Sequence, residues 1–322
     1  RAGDSRHRAT FSFGGETLAV SEPFAASLSY TCPREWMAKA PAAQSMTVDV
    51  SVQTYADAAC TVPVGAAQTA AFTLTADADM RPRLLDGAVT AAVLNPGGAS
   101  GFTDYIAGVS RARVSFAPDK LDLSACAGAT VTAYRVSVKG RTISAASGTV
   151  DTGVLPGDCT LLCSVIDTRG REDTAGIGVT MLPYVPPYLS DIAAARCNAD
   201  GTDNERGAYY KLRAALGYTP LGGANSAAVS VSIRPAGGTW GAETALTGFE
   251  SGKWSHRWGA PSVLGGELTG DGYTLRLRVT DAVGSASVYT VQLYSQQWAM
   301  KFNARGTAVG FGMTPTAENA VQ

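Results

Sequence analysis

The chain has 322 residues, 45% hydrophobic and 16% charged, with a formal net charge of −1. That length suits two to four domains, and the apolar content is too high for a disordered chain. No basic stripe is present to neutralise phosphates and no apolar run is long enough to cross a bilayer, so neither nucleic acid nor membrane is expected as a partner.

Glycine is plentiful at 36 residues. Turn residues recur at short intervals among Ala, Val and Thr, which predicts many short strands and an all-β fold. The first segment spans 1–80. Phe11-Ser-Phe13-Gly-Gly opens it as a strand ending at a glycine turn. Leu28, Tyr30 and Cys32 alternate with polar residues, the period of a half-buried strand. Pro33–Ala40 reads as a short helical or irregular crossing. Met46, Val48, Val50, Val52 and Thr54 alternate cleanly, and Phe72, Leu74 and Ala76 close the segment. Short-turned strands with one irregular crossing predict an antiparallel β-sandwich.

The second segment, 81–184, is read as another such sandwich. Its strands are expected at Ala88–Leu94, Ala112–Ala117, Thr130–Val138, Thr142–Ser147, Thr160–Asp167 and Ala175–Leu182. Asp167-Thr-Arg-Gly170 marks a tight reversal, because glycine adopts positive φ and aspartate bonds its own turn backbone. Tyr184-Val-Pro-Pro187 reads as a stiff linker. The third segment, 185–295, repeats the plan with strands expected at Ala194–Cys197, Tyr209–Leu216, Ala227–Arg234, Leu275–Thr280 and Val288–Leu293. Asp281-Ala-Val-Gly284 echoes Asp167-Thr-Arg-Gly170, as two copies of one module would. In the last segment, 296–322, Trp298, Met300 and Phe302 alternate. Gly306, Gly310 and Gly312 then interrupt apolar pairs, as in the start of a glycine-turned β element.

Six cysteines, Cys32, Cys60, Cys126, Cys159, Cys163 and Cys197, are scattered along the chain. The Cys159/Cys163 spacing lacks a second close pair or a nearby histidine to complete a zinc set. Buried small hydrophobes are the simpler reading. A disulfide such as Cys32–Cys60 stays open at this level.

Three stretches carry a family likeness. One is Phe11-Ser-Phe13-Gly14 with Pro33, Trp36, Pro41 and Val52-Gln-Thr-Tyr55. A second is Val165-Ile-Asp-Thr-Arg169-Gly-Arg171 with Tyr184 and Pro187. The third is Arg196, Asp200-Gly201 and Gly207-Ala-Tyr209, then Phe302-Asn-Ala-Arg-Gly306-Thr-Ala-Val-Gly310-Phe-Gly312. Together they span most of the chain, and the last run is the most specific, although Met313 follows where family members often carry lysine. The chain resembles minor structural proteins from the tails of phages that infect Gram-positive bacteria, the kind assigned to tail fibres or host recognition. The resemblance implies tandem immunoglobulin-like modules along a virion appendage, in a phage or a prophage, with no catalytic residues. Family members often carry further distal domains for host contact. A sequence that opens at Arg1 and ends at Gln322 reads as a fragment without them.

Candidate sites are few. His7 falls in a polar N-terminal tail and reads as solvated. His256, in Lys253-Trp-Ser-His-Arg-Trp258, would have to serve any Ser–His–Asp triad, yet no G-x-S-x-G elbow accompanies it. Asp151, Asp158, Asp167, Asp200, Asp203 and Asp271 sit in turns, which explains them without a glycosidase pair. Asn198-Ala-Asp200-Gly-Thr-Asp203-Asn204-Glu205 places hard oxygens at alternate positions but lacks the full calcium loop, so a hairpin loop is the better reading. Trp240, Trp254, Trp258 and Trp298 are read as core or interface residues before a sugar platform. No catalytic, cofactor or metal residue is assigned, and the chain is expected not to be an enzyme.

The leading expectation is a phage tail component, in a fibre, tip or baseplate, that positions a distal host-binding region. Its partners would be other tail proteins, further copies of itself (a trimer through the glycine-rich end) and a host surface glycan. Two alternatives are a carbohydrate-binding cell-surface adhesin module and a polysaccharide-degrading tail enzyme.

Overall fold

The computed structural model describes residues 5–253, 255–256, 268, 272–294, 301–302, 307 and 309–310. The fold is all-β and its sheets are antiparallel, joined by short 3-10 turns. The chain divides into two compact units. One holds residues 1–94 and 110–180, the other residues 95–109 and 181–322. The stretch 95–109, inside the segment read as 81–184, therefore belongs with the third segment.

In the first unit, β1 (Arg6–Phe13), β2 (Glu16–Val20), β3 (Ser45–Tyr55) and β4 (Pro63–Thr75) form one sheet in the order β2-β1-β3-β4. Gly14 and Gly15, at φ +57° and +84°, make the β1–β2 turn, a conformation that side chains bearing a Cβ resist. Ala9, Phe11, Met46 and Val48 point to one face, where the 3-10 turn Arg34–Lys39 lays Trp36 and Met37 on them. Among the described residues no second sheet covers this face. The segment expected as a sandwich is a single sheet with an irregular lid. The reason lies in the crossing: Leu28–Cys32, expected as a strand, joins no ladder. Its Tyr30 instead stacks on Phe11 at 4.5 Å and on Trp36 at 5.7 Å.

The rest of this unit contains β5 (Arg83–Leu84), β6 (Val89–Leu94), β7 (Arg111–Phe116), β8 (Leu121–Asp122), β9 (Val131–Val138), β10 (Arg141–Ala145), β11 (Thr149–Asp151), β12 (Cys159–Asp167) and β13 (Glu172–Val179). A three-stranded sheet runs β11-β7-β6, a four-stranded sheet runs β10-β9-β12-β13, and β5 pairs with β8. Alternate residues turn inward, so Ala112, Val114 and Phe116 of β7 and Leu161, Cys163 and Val165 of β12 are buried.

In the second unit, β14 (Tyr188–Cys197), β15 (Tyr209–Gly217), β16 (Ala227–Pro235), β17 (Thr244–Ala245), β18 (Ser255–His256), β19 (Tyr273–Asp281) and β20 (Ala286–Leu293) follow the same plan. One sheet runs β14-β15-β18 and the other β17-β16-β19-β20. In both modules the first, second and fifth main strands face the third, fourth, sixth and seventh, a three-plus-four β-sandwich. Tyr210, Leu212 and Ala214 from one sheet meet Val229, Val231, Ile233, Leu275, Leu277 and Val279 from the other. Each large aliphatic side chain so buried contributes about 1.5–3 kcal/mol. Within 296–322, β21 (Lys301–Phe302) pairs antiparallel with β22 (Val309–Gly310). Trp298, Met300, Gly306 and Gly312 lie outside the described residues.

Candidate functional site

The two D-x-x-G sequences fold into one turn. Asp167 and Asp281 each end the sixth main strand of their sandwich. In each, the aspartate N–H bonds the carbonyl four residues on, at 3.0 and 3.1 Å, and the glycine N–H returns to the aspartate carbonyl at 2.9 and 3.1 Å. The Oδ1 atom then accepts from the backbone N–H four residues on, from Arg171 at 2.9 Å and from Ser285 at 3.0 Å. Gly170 and Gly284 hold φ at +75° and +95°, the left-handed region that favours glycine. The third turn residue is thereby thrust away from its own sandwich.

In the first unit that residue is Arg169, only 4% exposed. Its Nε donates to the Ala43 carbonyl at 3.0 Å. Nη1 donates to Cys126, and Nη2 to Met37 at 2.8 Å, Ala127 at 2.9 Å and Ala40 at 3.4 Å. Met37 and Ala40 lie at the end of the lid turn, and their carbonyls also accept from the Ala40 and Ala43 N–H groups at 3.1 and 3.2 Å. The cation thus gathers main-chain oxygens from the 1–80 sheet module and from the second module at once. Neighbours reinforce the contact: Gln44 Nε2 donates to the Arg169 carbonyl at 3.0 Å and Thr168 Oγ1 to the Pro41 carbonyl at 2.6 Å. Gly128 approaches so closely that a Cβ there would lie 3.2 Å from the Ala38 Cα. Burial lowers the Arg169 pKa from its ordinary value and the nearby Asp167 carboxylate raises it; a guanidinium stays charged at neutral pH regardless.

In the second unit the equivalent residue is Val283. It is buried with Ala99, Ile106 and Leu221, and Leu182 and Tyr184 pack against the cluster. Here the aspartate does the polar work. Asp281 Oδ2 accepts from the Tyr184 hydroxyl at 2.8 Å and from Asn225 Nδ2 at 3.1 Å. Burial first, then the bond to Asp281 and its charge, push the Tyr184 hydroxyl up to about 12, against the lowering effect of Ser285. Val185 N–H donates to Thr219 Oγ1 at 3.0 Å. The linker expected at Tyr184–Pro187 is therefore fastened to the third module along its first half.

The other sequence candidates separate. His7 is not in a solvated tail: it is half-buried in β1, with Nδ1 3.0 Å from Thr54 Oγ1 and its ring 5.5 Å from Phe24. The side chain of His256, with Trp254, Trp258, Trp298 and Asp271, lies outside the described residues. Asp151 forms a bidentate pair with Arg113, both bonds 2.8 Å. In the 198–205 loop, Asp200 Oδ1 accepts from Thr202 N and Oγ1, Asn204 Nδ2 donates to Asn198 Oδ1, and Asp203 pairs with Lys211. Among the described residues no group of three His, Cys, Asp or Glu is placed to hold a metal. Trp240 has the guanidinium groups of Arg234 and Arg276 over its ring at 4.6 and 4.5 Å. All six cysteines are free thiols, Cys32 and Cys60 included; burial pushes Cys163 up to about 11. Arg169 itself escaped sequence reasoning, which saw only the turn.

A family model described as "Siphovirus protein of unknown function (DUF859)" matches residues 1–204. No curated protein matches the sequence. Among solved structures, dimeric latent PorU from Porphyromonas gingivalis is 10% identical with a TM-score of 0.25, over 90% of this chain and 29% of that one. The present chain thus spans under a third of PorU. The FN1–FN3 domains of chicken CNTN1 are also 10% identical with a TM-score of 0.25, over 77% of this chain and 78% of theirs. A Ca2+-stabilised adhesin that helps an Antarctic bacterium reach out and bind ice is 13% identical with a TM-score of 0.35, over 95% of this chain and 71% of that one.

Proposed function

This chain belongs to the Siphovirus protein family of unknown function (DUF859), and from that premise we propose that it is a non-enzymatic structural part of the phage tail. In this reading it sits in a fibre, tip or baseplate and positions a distal host-binding region. The observation that supports the reading is the Arg169 clamp. A buried cation bonded to main-chain oxygens of two modules resists bending, because any hinge motion strands either the charge or its acceptors in a low-dielectric interior. Such a chain transmits position instead of performing chemistry. Its partners are other tail proteins and further copies of itself, and repeated copies add avidity to weak contacts with a host surface glycan.

Immunogold labelling of purified particles with antibody raised against this chain tests the proposal. Gold confined to the tail is the expected result. Gold on the capsid alone, or intact particles that lack the chain, would overturn it.

A further inference from the structure

The sheet of the first module ends on an edge that nothing in the described residues covers. Strand β4 is 13 residues long, its first nine residues are exposed on both faces, and β3 is its sole ladder partner. Natural edge strands are blunted by charge, short length or a covering element, since free N–H and C=O groups template further pairing. The strand β2 at the opposite edge is five residues long and opens with Glu16. Strand β10 opens with Arg141 and β13 with Glu172 and Asp173, and the uncharged β20 lies against β14. Strand β4, Pro63-Val-Gly-Ala-Ala-Gln-Thr-Ala-Ala-Phe-Thr-Leu-Thr75, contains no charge, and proline only at its first residue. A register shift opposite Val52–Thr54 leaves Gln68–Thr75 as a regular ladder.

We propose that β4 pairs antiparallel with β4 of a second copy of this chain, about a two-fold axis through Ala71. The ladder fixes which groups are available. Ala76 N–H bonds the Gln44 carbonyl at 2.9 Å. By the alternation of antiparallel pairs, Leu74, Phe72, Ala70 and Gln68 then turn their backbone to β3, and Thr69, Ala71, Thr73 and Thr75 turn theirs to the open edge. Two-fold pairing sets Ala71 opposite Ala71, Thr69 opposite Thr73, Ala70 opposite Phe72 and Gln68 opposite Leu74. Threonine pairs are favourable across strands, a small residue meets a large one, and no like charges oppose each other. The seam forms about six main-chain hydrogen bonds, two for each outward-facing pair within the regular ladder, a number within the range a specific interface carries. Phe72 also lines a groove of about 550 Å³ with Phe11, Leu28, Tyr30, Val50 and Val52, so the apolar face continues to the axis. A two-fold contact is self-complementary and closed. The pairing does not depend on the tail assignment.

The test measures the mass of the full chain by sedimentation equilibrium at micromolar concentration. Twice the 33.2 kDa chain mass is expected, insensitive to salt. The outward N–H of residue 71 is not used by β3, so Ala71→Lys is expected to give single chains with unchanged far-UV circular dichroism. Mixing Ala71→Lys with Ala71→Asp is expected to restore the pair. Single chains for the natural sequence, or an assembly whose mass Ala71→Lys leaves unchanged, would overturn the proposal. Should Ala71→Lys fail to fold, Ala71→Cys decides. Mild oxidation of that variant must yield a disulfide-linked peptide joining position 71 of one chain to position 71 of the other, since Cα atoms in such a pair lie about 5.5 Å apart. Absence of that peptide rejects the seam.

Discussion

The turns Asp167–Arg171 and Asp281–Ser285 share a backbone and differ in what they carry. In both, aspartate and glycine fix the reversal and push one residue outward. Arg169 meets main-chain carbonyls and holds by directional bonds, while Val283 meets side chains and holds by burial. At the second turn the polar role passes to Asp281, which holds Tyr184 and Asn225. One supersecondary frame thus supports two kinds of joint, and a single position chooses between them. The polar joint is specific in angle and fails abruptly when an acceptor moves; the apolar one tolerates small shifts.

Substitutions can break this contrast or sharpen it. The largest effect is expected at Arg169→Val, which takes a charged donor from five main-chain carbonyls and leaves Asp167 without its neighbouring cation. A loss of about 3–5 kcal/mol is expected, seen in urea denaturation as the first module unfolding before the second. Arg169→Lys restores only part of it, because an ammonium cannot reach so dispersed a set of oxygens. Asp281→Ala removes the acceptor for Tyr184, Asn225 and Ser285 and is expected to cost about 2–3 kcal/mol by the same measurement. For Val283→Ala the expected loss is about 1–2 kcal/mol, the cost of a small cavity. If it equals the loss from Arg169→Val, the distinction between the joints collapses.

Tyr184→Phe is the mildest, at about 1 kcal/mol near neutral pH. Its signature lies in alkali. The phenol is raised to about 12 in the fold, against about 10 in an unfolded chain. The folded state favours the neutral form, so this contribution is complete below pH 10 and is lost as pH rises towards 12. The natural chain should therefore lose more stability across that window than Tyr184→Phe, a difference that thermal melts at stepped pH will show.

Much of this architecture was readable in the residues. Clean alternation at Met46–Thr54, Val229–Ile233 and Leu275–Val279 became β3, β16 and β19 because period two leaves one face apolar. The D-x-x-G repeat was visible because turn chemistry is local. What stayed hidden was non-local. Whether Leu28, Tyr30 and Cys32 find a ladder depends on neighbours far along the chain, and here Tyr30 stacks on rings instead of joining a sheet. The exposed length of β4 carries little alternation, so only Phe72–Ala76 stood out. The purpose of Arg169 was unreadable for a physical reason: its acceptors are carbonyl oxygens, which every residue possesses, delivered by loops more than a hundred positions away in the case of Met37 and Ala43.

Reliance on carbonyl oxygens has an evolutionary corollary. A latch that grips only the peptide backbone is indifferent to which amino acids occupy the opposite surface, provided the loop keeps its path. The leading module can drift in sequence, or be exchanged for a cousin with the same lid, while the socket for Arg169 persists. Chains assembled this way can diversify their parts without redesigning each coupling.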